Sequence, residues 1–204
     1  MLITENVIVL LGGSFTPSTL AHRRFALTLT EQYARVVIIP CGPRSELKKE
    51  ATRAVAACHR RELVRLGFAN LPPNIEVDYY DLDNNVYTPT YFLQQRYEEL
   101  FPDTELWHAV GGDLVSDGAN RNSEIQRLWT YGPIIWQSLK FVVIVRHGYT
   151  VTEADHPPRS HIIEVPEIFG SGTMIRNLIV RGEPFEHLVL PEVAAYIKEY
   201  RLFR

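Results

Sequence analysis

The stretch Gly12-Gly13-Ser14-Phe15-Thr16-Pro17-Ser18-Thr19-Leu20-Ala21-His22 decides the fold. Ahead of it, residues 7–11 form an unbroken apolar run, the pattern of a buried strand. After it, Ala21, Phe25, Leu29 and Tyr33 recur every four residues, which predicts a helix over 20–33 with one apolar face. The segment therefore reads as strand, Gly-rich loop, helix. Gly12 and Gly13 let the backbone approach a ligand closely. Ser18 or Thr19 can cap the helix. His22 falls in the first turn, where unpaired N–H groups and the positive end of the helix dipole make an anion site. A hydroxyl and an imidazole at such a place predict a phosphate cradle. The loop lacks the Gly-Lys-Ser/Thr ending of the P-loop and the three-glycine spacing of the dinucleotide fingerprint.

Working outward, strand and helix signals alternate. Strands are expected at 36–39, 75–77, 106–110, 141–145 and 162–163. Helices are expected at 52–68, 89–100, 171–181 and 191–201, with helical pieces broken by Gly132-Pro133 over 125–139 and a loop over 146–160. Short β-branched runs without polar alternation mean strands covered on both faces. The fold class is α/β, a doubly wound Rossmann-like parallel sheet with helices on both faces. The expectation is one domain over 1–204, its C-terminal helical part beginning near residue 171. Ligands of such folds sit at the carboxyl ends of the strands. The first loop, the segment after the second strand and Gly111-Gly112-Asp113 all lie there.

A net charge of −3 without blocks of like charge argues against nucleic acid as a main partner. No apolar run approaches a membrane span, and the N-terminus lacks the pattern of a signal peptide. Cys41 and Cys58 form no CxxC or metal-ligand pattern, which points to a reducing compartment. A soluble cytoplasmic protein is expected, with self-association left open. His156 and His161 read as solvated, His59 and His108 as structural.

A second anion site is written in Gly170-Ser171-Gly172-Thr173-Met174-Ile175-Arg176. Hydroxyls and free amides open a helix there, and Arg176 adds a forked, permanently charged donor. Two helix starts converging on one sheet edge suit a triphosphate.

Gly13, Phe15, Pro17, Thr19 and His22 resemble the nucleotidyltransferase signature, Gly-x-Phe-x-Pro followed by His or Thr, two residues and His. Ser171, Thr173, Ile175 and Arg176 resemble the Ser-Ser-Thr-x-Ile-Arg motif of the pyridine mononucleotide adenylyltransferases. Lys48-Lys49, His59-Arg60, Tyr87-Thr88, Gly111-Gly112-Asp113, Trp129 and Arg146-His147-Gly148-Tyr149 fall in that family's order. The resemblance implies adenylyl transfer from ATP to nicotinate or nicotinamide mononucleotide in NAD biosynthesis, with Mg²⁺ carried in on ATP and no metal held by the protein.

By the same resemblance, His22, Thr19 and Arg176 carry the chemistry. Gly12, Gly13, Ser14, Phe15, Ser171, Thr173 and Asp113 hold ATP. Lys48, Lys49, Tyr87, Thr88, Thr90 and Trp129 hold the mononucleotide, Trp129 by stacking on the pyridine. Three positions depart from the pattern. Thr19 stands for the usual first histidine, Ala21 for a glycine whose added methyl would crowd the nucleotide, and Gly172 for the second serine. They leave two other readings open. One is another nucleotidyltransferase such as phosphopantetheine adenylyltransferase, a branch that uses threonine at the position of Thr19. The other is a nucleotide-binding sensor that has lost transfer activity.

Overall fold

Runs of consecutive buried residues mark the sheet. Val7 to Leu11, Val36 to Ile39 and Phe141 to Ile144 are each at most 6% exposed. Alternation would leave every second residue in water, so these strands are covered on both faces. The computed structural model describes residues 4–43, 51–146, 151–165 and 170–204. Among them are six strands: β1 (Thr4–Gly13), β2 (Tyr33–Pro40), β3 (Ile75–Val77), β4 (Glu105–Gly111), β5 (Phe141–Arg146) and β6 (Ser160–Val165). The helices are α1 (Leu20–Thr30), α2 (Ala51–Ala54), α3 (Ala57–Gly67), α4 (Tyr80–Asp83), α5 (Thr90–Leu100), α6 (Gly112–Val115), α7 (Glu124–Leu128), α8 (Gly132–Ser138), α9 (Gly172–Arg181) and α10 (Pro191–Glu199). Single 3₁₀ turns lie at Gly118–Asn120, Glu153–Asp155 and Glu186–Leu188.

The strand order is β3-β2-β1-β4-β5-β6. Its direction of growth reverses between β1 and β4, the topological switch point of a doubly wound sheet. Parallel registers pair Leu10 with His108, Ala109 with Val142, and Ile144 with Ile163. The expected α/β parallel-sheet class is the one observed.

The chain divides into two compact units. One comprises Met1–Gly12, Thr28–Val37 and Thr88–Glu167. Its core gathers Val110, Val115, Ile125, Ile135, Trp136, Phe141 and Val143. The other comprises Gly13–Leu27, Ile38–Tyr87 and Ile168–Arg204. There Leu63 of α3, Ile175 and Leu178 of α9, and Val193 and Ile197 of α10 close a helical core with Phe185 and Leu188.

Several boundaries differ from expectation. Helix α1 stops at Thr30, and Tyr33 opens β2 instead of closing the helix, buried in both cases. The single helix expected over 52–68 is two, separated where Ala56 takes an extended φ/ψ of −55°/145° and Val55 is buried between exposed neighbours. No Gly or Pro announces that break; burial of Val55 overrides the helix propensity of the alanines around it. Strand β6 spans six residues because its whole length pairs with β5. His161 is not merely solvated: its Nδ1 lies 2.8 Å from the Tyr33 hydroxyl. His156 is half-buried, with Nε2 shielded from solvent.

Candidate functional site

The first helix start is built as a closed local circuit. The Thr19 N–H donates to His22 Nδ1 at 3.1 Å, and the His22 N–H donates to Thr19 Oγ1 at 3.2 Å. This is a capping box with an imidazole in the place of the usual Glu. A backbone N–H can only donate, so Nδ1 is the acceptor and the neutral ring carries its proton on Nε2. Thr19 is thus the cap and also sets the tautomer of His22. It is 2% exposed, whereas His22 is half-buried. Ala21 is 0% exposed, so its methyl points into the protein core, which removes the crowding expected of it.

The loop ahead of the cap is fixed by packing. Phe15 is 2% exposed at φ 44°, its ring edge-on to His22 and to Phe68 at centroid distances of 5.1 and 5.2 Å. A Cβ on Gly13 would stand 2.8 Å from Phe15 Cζ. Gly13 is required by its own loop's aromatic ring. Only Gly12, where a Cβ meets nothing within 4 Å, has the openness expected of both.

Two arginines reach this loop. Arg60 of α3 is 1% exposed. Its Nε donates to Thr16 Oγ1 at 3.0 Å and its Nη2 to the Ser14 carbonyl at 3.1 Å, and Nη2 also donates to the Cys41 carbonyl. Burial lowers its pKa, opposed first by the Cys41 side chain and then by the charge of Asp81; the guanidinium stays protonated. Arg176 of α9 donates from Nη1 to the Thr16 carbonyl at 2.7 Å and from Nη2 to Thr173 Oγ1 at 3.0 Å. It is half-buried, and that burial lowers its pKa.

The second helix start has the predicted cap: Ser171 Oγ accepts from the Met174 N–H at 3.1 Å. Gly172 explains its departure from the usual serine. A Cβ there would lie 3.2 Å from both Arg176 Nη1 and the Thr16 carbonyl oxygen. The glycine lets α9 close onto the loop.

One unit therefore brings together Gly13, Ser14, Phe15, Thr19, His22, Ser171, Thr173 and Arg176, and Tyr87 belongs to it as well. Gly12, Thr88, Thr90, Asp113 and Trp129 belong to the other. Asp113 is exposed in α6, directly after β4. Thr88 and Thr90 are half-buried at the start of α5, with Pro89 as its N-cap residue. Trp129 ends α7, packs on the apolar cluster around Ile125 and Trp136, and its shielded Nε1 has no hydrogen-bond partner among the described residues. Lys48 and Lys49, together with His147-Gly148-Tyr149, lie outside the described residues.

Arg60 is the residue that motif reading missed as part of the site. The sequence signal was the pair His59-Arg60 in family order; the structure separates them. His59 turns to the Tyr196 hydroxyl at 2.8 Å, while Arg60 runs beneath the loop. No helix among the described residues is long and apolar enough to cross a membrane.

The sequence profile of the cytidylyltransferase-like family matches residues 10–178. A probable nicotinate-nucleotide adenylyltransferase of Methylacidiphilum infernorum is 29% identical over 203 residues, spanning 96% of this chain and 91% of that protein. Its counterpart in Enterococcus faecalis is 27% identical over 203 residues, spanning 98% and 86%. Among solved structures, Plasmodium falciparum nicotinic acid mononucleotide adenylyltransferase complexed with NaAD aligns with a TM-score of 0.80 at 20% identity, covering 98% of each chain. At that identity the likeness is one of fold.

Proposed function

We propose that this chain, which belongs to the cytidylyltransferase-like family, transfers the adenylyl group of ATP to nicotinate mononucleotide, releasing pyrophosphate and forming a dinucleotide for NAD biosynthesis. The observation that carries the reading is the pair of capped helix starts joined on one loop, Thr19–His22 and Ser171–Arg176. Both offer donors and positive charge to phosphate oxygens. Full-length relatives with that activity in their names support the choice of acceptor.

The acceptor's 5′-phosphate is already anionic, so no general base is needed. One of its oxygens bonds to the α-phosphorus of ATP, the bond from that phosphorus to the bridging oxygen breaks, and pyrophosphate leaves with the electron pair. The protein's part is positioning and charge stabilisation. His22 donates from Nε2 to the α- and β-phosphate oxygens. Arg176 exchanges the Thr16 carbonyl for the β- and γ-phosphates, and Ser171 and Thr173 accompany it. Asp113 accepts from ribose hydroxyls, while Tyr87, Thr88, Thr90 and Trp129 take the pyridine end. The cradle's side chains are hydroxyls, an imidazole and a guanidinium. They suit phosphate oxygens and leave a hard cation to the phosphates themselves; a divalent cation such as Mg²⁺ would be carried by ATP and would supply charge neutralisation to the leaving pyrophosphate.

The test is chromatography of products from Mg²⁺-ATP with nicotinate or with nicotinamide mononucleotide. Dinucleotide and pyrophosphate in equal amounts, faster with the nicotinate form, are expected. No dinucleotide from either acceptor would sink the reading.

A further inference from the structure

Arg60 places a permanent charge where almost none is tolerated, 1% exposed and beneath the phosphate loop. Its bonds hold the Ser14 carbonyl, the Thr16 hydroxyl and the Cys41 carbonyl. The Thr16 hydroxyl in turn donates to the Ser14 carbonyl at 2.8 Å, so that oxygen is held twice. In a trans peptide the N–H points opposite to the C=O. With the Ser14 carbonyl drawn to Arg60, the Phe15 N–H points to the opposite side of that peptide, away from the guanidinium. The Cys41 peptide is held in the same way, its carbonyl on Arg60 and the Gly42 N–H facing Asp81 Oδ2 at 3.5 Å. Gly42 has no room to reorganise there, since a Cβ would overlap the Val86 carbonyl. One nitrogen, Nη2, serves both carbonyls and a second, Nε, serves Thr16 Oγ1. A lysine ammonium in the place of Nη2 would leave the Thr16 hydroxyl without its donor, and only a fork reaches all three.

We propose that Arg60 is a positioning residue for adenylyl transfer: it turns the 14–16 backbone so that the Phe15 amide joins His22 and Arg176 as a phosphate donor, and locks that loop to the end of β2. The inference rests on the transfer reading above, and on the principle that small misplacements of a phosphate clamp cost turnover more than affinity for the second substrate.

The experiment compares the full chain with Arg60→Lys and with Thr16→Val, which leaves Arg60 in place but removes the acceptor of its Nε. Steady-state kinetics and calorimetric binding of inorganic tripolyphosphate are read well below the melting midpoint of each protein. For Arg60→Lys, kcat should fall ~10–100-fold with the KM for nicotinate mononucleotide within ~3-fold, and tripolyphosphate should bind ~10-fold more weakly. Thr16→Val should move both in the same direction by less. A merely structural Arg60 would lower the melting midpoint and leave kcat and tripolyphosphate affinity unchanged, which overturns the proposal. If Arg60→Lys does not fold, unchanged values in Thr16→Val overturn it equally. A wild-type protein that makes no dinucleotide yet loses tripolyphosphate affinity on Arg60→Lys would defeat the transfer reading and keep the loop-positioning role. Wild-type protein that does not bind tripolyphosphate defeats both.

Discussion

Arg60 and Arg176 hold the same loop from two sides under opposite conditions. Arg60 is 1% exposed and its bonds run to three loop acceptors across two segments. Arg176 is half-buried and hangs on one carbonyl and one hydroxyl at the mouth of α9. The first cannot leave without stranding the buried oxygens of Ser14, Thr16 and Cys41. The second can trade its two bonds for phosphate oxygens at little cost, because water reaches it. On the proposed reading, burial separates an arginine that shapes the site from one that works in it, although both are tied to Thr16.

That contrast breaks most visibly in stability. Arg60→Met should cost about 3–5 kcal/mol in denaturant unfolding, the penalty for leaving three buried acceptors without their charged donor. A loss below about 1 kcal/mol would show that Arg60 is not held as described. Arg176→Ala should do the reverse. Turnover should fall roughly 10²–10³-fold, as on loss of a transition-state donor, while the unfolding free energy shifts by no more than about 1 kcal/mol. Equal effects of the two substitutions on stability would erase the distinction.

His108 extends the comparison to a buried group that can give up its charge. Burial pushes its pKa down to about 4, and Gln94 Oε1 lies 2.7 Å from Nε2. The unfolded chain binds a proton there near pH 6.5 and the folded one does not. Stability from His108 is therefore complete above about pH 6.5 and is lost as pH falls toward 4, up to about 3 kcal/mol. His108→Asn should flatten the unfolding free energy across that window; an unchanged slope would assign the acid sensitivity elsewhere. The smallest effect is expected at Gly172. Gly172→Ser puts a Cβ 3.2 Å from Arg176 Nη1 and the Thr16 carbonyl oxygen, and kcat/KM should drop about 3–10-fold through displacement of Arg176. Wild-type kinetics would mean that α9 shifts freely.

The same contrast marks how far the sequence was legible. Cap, glycine and hydroxyl signals around Thr19–His22 and Ser171–Arg176 are local, with partners three residues apart, and the motif spacing exposes them. Arg60 reaches residues 44 and 46 positions away, and no spacing rule reports such a bond. Gly13 was legible as a glycine, but the ring of its own loop that it accommodates was not. The strands were legible from unbroken apolar runs. The break at Val55-Ala56 was not, because tertiary burial caused it against local propensity. Ala21 misled in the other direction: a position near a motif need not face the ligand, and this one is 0% exposed.

The most direct test of adenylyl transfer follows the label. The protein would be incubated with nicotinate mononucleotide and ATP carrying ³²P at either the α or the γ position. The account predicts α-label in the dinucleotide and γ-label in pyrophosphate, in equal amounts. Label from the γ position in inorganic phosphate or on the mononucleotide, with none from the α position in a dinucleotide, would contradict it.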